Sequence, residues 1–327
     1  MTNLYKNKRV LITGGLGFIG SNLAIALVER GANVEIYDSL VPGMGGNKFN
    51  IKPVRSFVRL KIADLRNDKE IARAVKGKDI IFNLAGTLSH VDSMANPFLD
   101  LDINCRAQLC LLEASKKYNR GVKIVYAGTR NQYGKAHYLP VDESHPLEPT
   151  DINGVDAIAG EKYHFMYQKV YGIQVVSLRM TNTFGPRHQM KHSKQGVLNW
   201  FIRQIMEGKT VSLMGGGKQI RDVNYVDDVV LACLKAGNLK KADEQVYNLG
   251  GMPISLLGFT QSIIKVWGSG KIRIIEFPKN RKKIEVGDYI ADISKIGKVC
   301  GWKPKTDINE GIKKTIDYYM ANKKYYF

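Results

Sequence analysis

The first part of the chain alternates between short apolar runs and longer segments with apolar residues three or four positions apart. The short runs are typical of buried strands, and the longer segments are typical of helices that bury one face. Strands and helices that alternate every ~25–30 residues indicate βαβ units, so we predict an α/β fold with a doubly wound parallel Rossmann sheet. The predicted strands are Val10–Thr13, Val34–Tyr37, Val58–Ile62, Asp79–Asn83, Val122–Tyr126 and Gln174–Leu178. The predicted helices are Gly20–Arg30, Ile71–Val75, Phe98–Tyr118 and Gly154–Tyr171.

The regular alternation ends after Thr181, where loops separate shorter predicted elements. Two glycine clusters, Gly215–Gly217 and Gly250–Gly251, mark turns in this region. A chain of 327 residues can bury one large core or two closely joined ones. We therefore predict a Rossmann domain over residues 1–180, with a return segment around 220–250, and a smaller C-terminal α/β lobe over residues 181–327.

The amino-acid composition is that of a globular protein and gives no sign of a membrane or metal-binding protein. Hydrophobic residues make up 44% of the chain and charged residues 24%, as in ordinary globular proteins. No apolar run approaches the ~20 residues that span a bilayer, and no signal-peptide pattern precedes the first strand, so we predict a cytoplasmic protein without a membrane partner. The four cysteines lack the spacing of metal sites, so we predict reduced thiols and no bound metal.

The net charge of +19 raises the question of an acidic partner. The Lys and Arg residues are scattered along the chain, and they form no basic helix and no basic stretch interleaved with aromatic residues. We therefore predict a lysine-rich solvated surface with a local basic pocket for a diphosphate ligand, and no nucleic-acid partner.

A glycine-rich turn lies between the first predicted strand and the first predicted helix, and it reads GGLGFIG over residues 14–20. Gly14 permits a tight turn, Gly17 lets the backbone approach a pyrophosphate, and Gly20 allows the helix to pack closely on the strand. The helix N-terminus adds positive potential and free N–H groups. This strand–turn–helix context predicts a dinucleotide site.

Acidic residues follow the second and third predicted strands. Asp38 is placed to accept hydrogen bonds from the adenosine ribose hydroxyls, and its carboxylate would repel a 2′-phosphate, so we predict NAD rather than NADP. Asp64 and Leu65 are expected at the adenine edge. The predicted NAD site also includes Phe18, Ile19, Leu84, Ala85 and Gly86.

Further motifs are spread over the rest of the chain: Ser93 and Pro97, Asn104, Thr129–Gly134, Leu178–Arg179, Asn182, Phe184–Arg187, Arg221–Asp222, Tyr225–Asp228 and Gly301–Pro304. With these motifs the chain resembles the extended short-chain dehydrogenase/reductase family, and within it the NAD-dependent nucleotide-sugar epimerases and dehydratases. The resemblance runs almost end to end. It implies a Rossmann domain, NAD as cofactor with Asn104 at its site, and a C-terminal lobe that binds a nucleotide diphosphate sugar, with a UDP-sugar favoured.

The resemblance also implies roles on the substrate side. Asn182 would hydrogen-bond the nucleotide diphosphate, and Arg221 would pair with a phosphate through its fork of donors. Arg281 or a neighbouring lysine would do the same. Arg187 would help to shape the sugar pocket.

The segment after the fifth predicted strand separates the reactions of this family. The resemblance places Thr129 at the position of the catalytic Ser or Thr, whose hydroxyl bonds the reacting sugar oxygen. A 4,6-dehydratase would need an acidic pair directly after this hydroxyl, and a nucleotide-glucuronate decarboxylase would need a Glu in the same stretch. The chain has Arg130-Asn131 there and no Glu before Gly134. We therefore predict epimerisation, which needs only reversible hydride transfer and rotation of a bound keto-sugar.

The base that the family uses is missing from this chain. The Tyr-x-x-x-Lys slot reads Asn153-Gly154-Val155-Asp156-Ala157. In the usual arrangement the Tyr phenolate takes the hydroxyl proton, while the Lys lowers the pKa of that Tyr and holds the nicotinamide ribose. Neither Asn153 nor Ala157 can do either task.

Two other side chains are candidates for the proton transfer. Asp156 would point either toward the pocket mouth or toward solvent from its place on the predicted helix. His90 is expected on the loop over the nicotinamide and the sugar, where a histidine can act as a base near neutral pH. We predict that the catalytic site consists of Thr129, Asn153, Asp156 and His90.

The leading hypothesis is an NAD-dependent nucleotide-sugar epimerase that acts through a transient keto-sugar, most like a UDP-hexose 4-epimerase, with an atypical proton-transfer group. One alternative is a catalytically impaired member that binds NAD and a nucleotide sugar, and another is a nucleotide-sugar dehydrogenase or 4,6-dehydratase. The resemblance further implies a homodimer in which the helices Phe98–Tyr118 and Gly154–Tyr171 of both copies form a four-helix bundle.

Overall fold

The computed structural model describes residues 4–277 and 285–327. Short 3-10 turns occur at Lys48–Phe57 and Arg130–Tyr133, among others. The strands are β1 (Arg9–Thr13), β2 (Asn33–Asp38), β3 (Val58–Ile62), β4 (Ile80–Asn83), β5 (Lys123–Thr129), β6 (Gln174–Met180), β7 (Asn182–Phe184), β8 (Thr210–Met214), β9 (Ile220–Tyr225), β10 (Gln245–Asn248), β11 (Pro253–Ser255) and β12 (Lys271–Ile275). The helices are α1 (Phe18–Val28), α2 (Asp68–Val75), α3 (His90–Ala95), α4 (Pro97–Leu101), α5 (Ala107–Tyr118), α6 (Ile152–Tyr171), α7 (Val197–Met206), α8 (Val226–Asn238), α9 (Leu256–Trp267), α10 (Ser294–Cys300) and α11 (Ile308–Asn322).

Seven strands form one parallel sheet in the order β10-β6-β5-β4-β1-β2-β3. Apolar side chains cover both of its faces, with α1 and α8 packed on one side and α2, α5 and α6 on the other. The strand order reverses between β1 and β4, which pair directly from Val10 with Ile80 onward. The loops that leave these two strands diverge, which opens a crevice at their carboxyl ends. The predicted α/β doubly wound Rossmann sheet is confirmed.

The chain leaves the large sheet after β6 and returns to it later. The strands β7, β9 and β11 form a three-stranded sheet, and β8 pairs with β12 in a second small sheet. Between them the chain comes back through α8 and β10, and β10 pairs in parallel with β6. The smaller lobe is therefore joined to the large sheet at several points along the sequence.

The helix α6 begins and ends at residues whose chemistry favours these positions. The Asp151 carboxylate accepts a hydrogen bond from the Gly154 N–H at 2.9 Å, which is a typical N-cap contact. Gly172 closes the helix in the left-handed region, with a φ of 74°. These two caps fix the register of the helix that carries Asn153 and Ala157.

The predicted single helix Phe98–Tyr118 is interrupted in the structure. A π turn at Asp102–Arg106 separates α4 from α5, and it carries Asn104. The Asn104 side chain accepts a hydrogen bond from the Thr87 N–H at 3.0 Å and donates one to the Thr87 hydroxyl at 2.6 Å. The apolar periodicity did not indicate this turn, because the contact depends on a loop that lies 17 positions earlier in the chain.

Three of the four cysteines are buried, and all four are free thiols. In residues 4–277 and 285–327 no three potential metal-binding side chains come together. No helix within these ranges combines the length and the apolar character needed to cross a membrane.

Candidate functional site

A cavity of about 950 Å³ opens at the carboxyl ends of β1, β4 and β5. The glycine-rich turn over residues 14–20 contributes one wall, and residues of α7 and β8 in the smaller lobe contribute another. A second pocket of about 110 Å³ lies at the ends of β2 and β3, and both spaces are lined by Gly14 and Gly17. This is the position at which a doubly wound sheet accommodates a dinucleotide.

The glycine-rich turn has the geometry that a dinucleotide requires. Gly14 has a φ of +66°, in the left-handed region that favours glycine. A Cβ on Gly20 would lie 2.3 Å from the Gly14 carbonyl oxygen, so the close approach of α1 to the turn depends on glycine there. No side chain of the described residues caps α1 at Gly17, so the N-terminus of the helix can meet a phosphate. Gly17, Phe18 and Ile19 all line the cavity.

The smaller pocket carries the acidic residues predicted for the adenosine. Asp38 accepts hydrogen bonds from the backbone N–H groups of Leu16 at 3.0 Å and Leu40 at 2.9 Å, while its burial raises the pKa of the carboxyl. Asp64 pairs with Arg66 at 2.7 Å, and this hydrogen bond lowers the pKa of Asp64. Both carboxylates and Leu65 line the pocket, which places them together at one end of the crevice.

The loop after β4 lies between the two spaces. Leu84, Ala85 and Gly86 line both of them, as predicted for residues beneath a cofactor. Asn104 also lines the large cavity, but its hydrogen bonds go to Thr87 and Asp100. Its observed contacts therefore hold the loop in place.

The start of α6, where the family resemblance implies the Tyr-x-x-x-Lys motif, faces the cavity. Asn153 and Ala157, one helical turn apart, both line the cavity together with Thr129. The Asn153 amide donates a hydrogen bond to the Thr87 carbonyl at 2.8 Å, and its own oxygen is buried without a partner in the described ranges. The Thr129 hydroxyl accepts a hydrogen bond from the Asn131 N–H at 3.2 Å, so its proton remains available for a ligand oxygen.

His90 lines the same cavity from the first turn of α3. Its Nδ1 is hydrogen-bonded to the Asp151 carboxylate, which is almost fully buried, while about a third of the His90 side chain is exposed. Burial raises the pKa of Asp151, but the hydrogen bond and charge of His90 outweigh this effect and hold that pKa below its usual value. A carboxylate fixed on Nδ1 leaves Nε2 as the ring nitrogen that can exchange a proton.

The model of the NAD dependent epimerase/dehydratase family matches residues 10–250, which is more than half of the chain. The chain belongs to this family. NAD is therefore its cofactor, in agreement with the geometry of the glycine-rich turn and with the prediction from the sequence.

Individual members of the family resemble the chain over nearly its whole length. A Methanocaldococcus jannaschii protein, provisionally named a UDP-glucose 4-epimerase, is 35% identical over 96% of this chain and 99% of its own. The structure of the Thermotoga maritima UDP-glucose 4-epimerase with UDP-glucose has a TM-score of 0.87 at 29% identity, and it covers 96% of this chain and 99% of its own. The Thermus thermophilus UDP-glucose 4-epimerase in complex with NAD has a TM-score of 0.85 at 29% identity, with coverages of 95% and 99%.

Of the residues predicted to bind the substrate, two line the large cavity. Asn182 and Arg221 line the cavity, and the Asn182 oxygen is buried without a partner in the described part of the chain. The Arg221 guanidinium donates hydrogen bonds to the Gly287 carbonyl at 2.6 Å and to Glu285 at 2.5 Å. A ligand phosphate bound to Arg221 would therefore share the guanidinium with Glu285. Arg281 lies outside the described residues.

The expectation for Arg187 needs correction, because this residue does not line the cavity. Its guanidinium donates a hydrogen bond to the Asn22 side chain at 2.8 Å and one to the Asn50 carbonyl at 3.1 Å. It also lies over the Tyr318 ring, 5.0 Å from the centroid. Arg187 therefore links α1 to α11 through these contacts.

The expectation for Asp156 also needs correction. It points neither to the pocket mouth nor to solvent, because its side chain is buried and interacts with Asp100. Burial and the hydrogen bond to Asp100 raise the pKa of Asp156 to about 6. This pair of acids lies behind Asn153, which itself contacts Asp100 at 3.3 Å. Asp156 does not line the cavity, so it has no direct route to a sugar oxygen.

Sequence reasoning missed two residues at the site. Asp151 was not singled out, although its place just before α6 is the usual position of an acidic N-cap. Arg130 was noted only as the replacement of an acid, although it is 7% exposed and lines the cavity. A charged residue directly after an apolar strand was the available signal for Arg130.

Proposed function

We propose that the protein is an NAD-dependent nucleotide-sugar epimerase, most like a UDP-hexose 4-epimerase, in which His90 moves the proton. The observation that carries this proposal is the His90–Asp151 pair at the wall of the cavity that also holds Thr129. The family and its resemblance to named UDP-glucose 4-epimerases support the reaction type.

His90 meets the requirements of a general base or acid. It lines the cavity, and its Nδ1 is taken by a buried carboxylate that fixes the orientation of the ring. Such a carboxylate also stabilises the imidazolium that forms when Nε2 accepts a proton. Thr129 would donate a hydrogen bond to the same sugar oxygen, and this bond would hold the oxygen within reach of His90. NAD, when bound, takes up and returns hydride at the reacting sugar carbon.

Asn153 takes over the binding part of the missing tyrosine, but not its proton transfer. Its amide N–H group is turned to Thr87 and Asp100, so the side-chain oxygen is left as a fixed hydrogen-bond acceptor. An acceptor of this kind can orient a ligand hydroxyl, while an amide cannot take up its proton near neutral pH. The proton-transfer step therefore falls to His90.

The remaining ligand groups would be shared between the two lobes. The cofactor would be held by the glycine-rich turn, by Asp38 and Asp64 at the adenosine, and by the Leu84–Gly86 loop. Asn182 and Arg221 would hold the diphosphate of the nucleotide sugar, because both line the cavity from the smaller lobe. Arg130-Asn131 after Thr129 disfavours dehydration, which needs acids at these positions.

The proposal is tested by incubating the NAD-loaded protein with UDP-, GDP-, CDP- and dTDP-sugars and separating the products by chromatography. We expect conversion of one sugar to its epimer without net accumulation of NADH. Stoichiometric NADH would instead identify a dehydrogenase, and loss of water from the sugar would identify a 4,6-dehydratase. No epimer from any sugar would contradict the proposal.

One observation favours a second candidate function, a binding protein with impaired catalysis. The slot of the usual tyrosine and lysine holds Asn153 and Ala157, and both face the cavity. A protein of this kind would bind NAD and a nucleotide sugar in calorimetry but would convert no sugar in the same assay.

We also propose a homodimer built on the face formed by α3, α4 and α6. Large apolar side chains are exposed on this face, and Phe98 is the most exposed of them at 79%. A contiguous exposed apolar face of this kind is typical of a protein interface. The family resemblance implies a bundle of the helices Phe98–Tyr118 and Gly154–Tyr171, which include α4 and α6 of this face, so the proposed occupant is a second copy of the chain. The exposed members are Val91, Met94, Phe98, Leu101 and Val155.

Replacing Phe98 by Asp should convert the dimer to a monomer, because a buried charge would replace the central apolar contact. Sedimentation of the parent and the variant would measure the mass in solution. Phe57→Asp is the matched control, since Phe57 is 69% exposed on the distant 3-10 turn and should leave the dimer intact. A monomeric parent, or a Phe98→Asp variant that stays dimeric, would refute this interface.

A further inference from the structure

Arg130 is a buried cation that lacks a counterion. It lies in the 3-10 turn directly after β5, it is 7% exposed, and it lines the large cavity. Its guanidinium makes no hydrogen bond or ion pair with any residue of 4–277 or 285–327, and Nη1 is fully buried without a partner. The guanidinium lies over the Tyr289 ring, 5.3 Å from the centroid.

The carboxylates closest to Arg130 are already engaged. Asp151 and Glu285 both contribute to the electrostatic field at Arg130, but Asp151 is paired with His90 and Glu285 is paired with Arg221. The residues outside the described ranges, 1–3 and 278–284, contain no Asp or Glu. Neither residues 1–3 nor residues 278–284 can therefore supply a carboxylate for Arg130.

A guanidinium in this state is energetically unfavourable. Burial and the neighbouring Arg221 lower the pKa of Arg130 to about 10, so it still carries its charge at neutral pH. A buried charge destabilises a fold unless it is paired and hydrogen-bonded. An unpaired cation at the wall of a ligand cavity therefore indicates an anionic group on the ligand.

We propose that Arg130 binds a carboxylate carried by the sugar, so that the substrates of this site are acidic nucleotide sugars such as nucleotide hexuronates. The inference rests on the proposed function, because it names the sugar class for the same cavity. A guanidinium matches a carboxylate with two parallel hydrogen bonds, which gives both affinity and orientation.

The chain position of Arg130 favours the sugar over the diphosphate as its partner, because Arg130 directly follows Thr129, whose hydroxyl is assigned to the reacting sugar oxygen. Arg221 and Glu285 act on the charge of Arg130 more strongly than Asp151, the partner of His90, so Arg130 lies between the group assigned to the diphosphate and the reacting end. The diphosphate is assigned to Asn182 and Arg221. A carboxylate on Arg130 would consequently lie at the reacting end of the ligand.

The experiment measures binding to the NAD-loaded protein by calorimetry, with ligands that differ only at the sugar carboxylate. The pairs are UDP-glucuronate against UDP-glucose and GDP-mannuronate against GDP-mannose, with UDP and GDP alone as references. We expect the acidic member of one pair to bind about 10–100-fold more tightly than its neutral partner, as for a charge-assisted hydrogen bond.

Arg130→Gln should abolish this preference and leave the affinity for the neutral sugar and for the free diphosphate within about twofold of the parent. Arg120→Gln is the matched control, because Arg120 is an exposed arginine outside the cavity and should keep the preference. In the absence of a nucleotide sugar, Arg130→Gln should melt at or above the temperature of the parent, because it removes an uncompensated buried charge.

Four outcomes would overturn the inference. The parent could bind acidic and neutral sugars equally or could bind neither. Arg130→Gln could weaken the binding of UDP or GDP alone as strongly as it weakens the binding of the acidic nucleotide sugar. This result would assign Arg130 to the diphosphate. The variant could also melt well below the parent, which would make Arg130 a structural residue. Tight and Arg130-dependent binding of an acidic sugar without any conversion would support the inference while refuting the epimerase.

Discussion

His90→Gln lowers kcat by about 10²–10⁴-fold while the affinity for NAD stays close to that of the parent. This is the usual effect of removing a general base, and glutamine keeps a polar side chain at the cavity wall but cannot accept a proton near neutral pH. The test measures kcat and KM for the nucleotide sugar that the product assay identifies, together with NAD binding by calorimetry. His137→Gln is the matched control, since His137 pairs with Glu148 outside the cavity and should turn over like the parent.

The role proposed for Asp151 is to position His90, so its variant should follow a distinct pattern. Asp151→Asn keeps an N-cap for α6, because asparagine caps helices as well as aspartate does. It removes the carboxylate that orients the ring, so kcat should fall by less than in His90→Gln and KM should change little. The double variant should be no slower than His90→Gln alone, because residues that act as one unit are not additive. Turnover by His90→Gln at the parental rate would refute both roles.

Gly20→Ala should weaken NAD binding by about 10–100-fold, which corresponds to the usual free-energy range of overpacking. The new Cβ would lie 2.3 Å from the Gly14 carbonyl oxygen and 2.8 Å from the Gly15 Cα, and both are backbone atoms that cannot move aside independently. The turn and the start of α1 would have to separate, and the helix N–H groups would then leave the position at which they meet the pyrophosphate.

The affinity of the stripped protein for NAD would be measured by calorimetry, together with the thermal melting of both proteins. Gly121→Ala is the matched control, because no atom lies within 4 Å of the Cβ that it adds and its backbone is not in the left-handed region. The parental affinity should be retained in that variant. If Gly20→Ala also binds NAD as tightly as the parent, the close approach of α1 is not what builds the cofactor site.

The parts of the site that were predictable depend on short stretches of chain. The glycine-rich turn, the acid at the end of β2 and the loop after β4 each lie next to a strand whose apolar run was visible in the sequence. The carboxyl ends of parallel strands meet at one edge, so locating the strands also located these residues. Thr129 and Asn153 also line one cavity, but the expectation for these two residues came from the family resemblance.

The residues that were misjudged depend on partners far away in the sequence. Asp156 is buried because Asp100 lies against it, and Arg187 is occupied by Asn22 and Asn50. No periodicity along α6 could show which of its polar residues meets a second acid. Side-chain direction on a helix is fixed by what packs against it, and here that is an interrupted helix whose π turn was itself not predictable.

The sequence by itself determined the Rossmann sheet, the glycine-rich turn and the presence of Asn153 and Ala157 at the start of α6, because each of these depends on short stretches of consecutive residues. Only the tertiary structure decided which side chains surround Asn153 and Ala157 at the cavity. The imidazole of His90 and the carboxylate of Asp151 are 61 positions apart, and they meet because α3 packs on the start of α6. Within the described residues Arg130 has no ion pair, because the acids near it contact His90 and Arg221, and such an arrangement exists only in three dimensions.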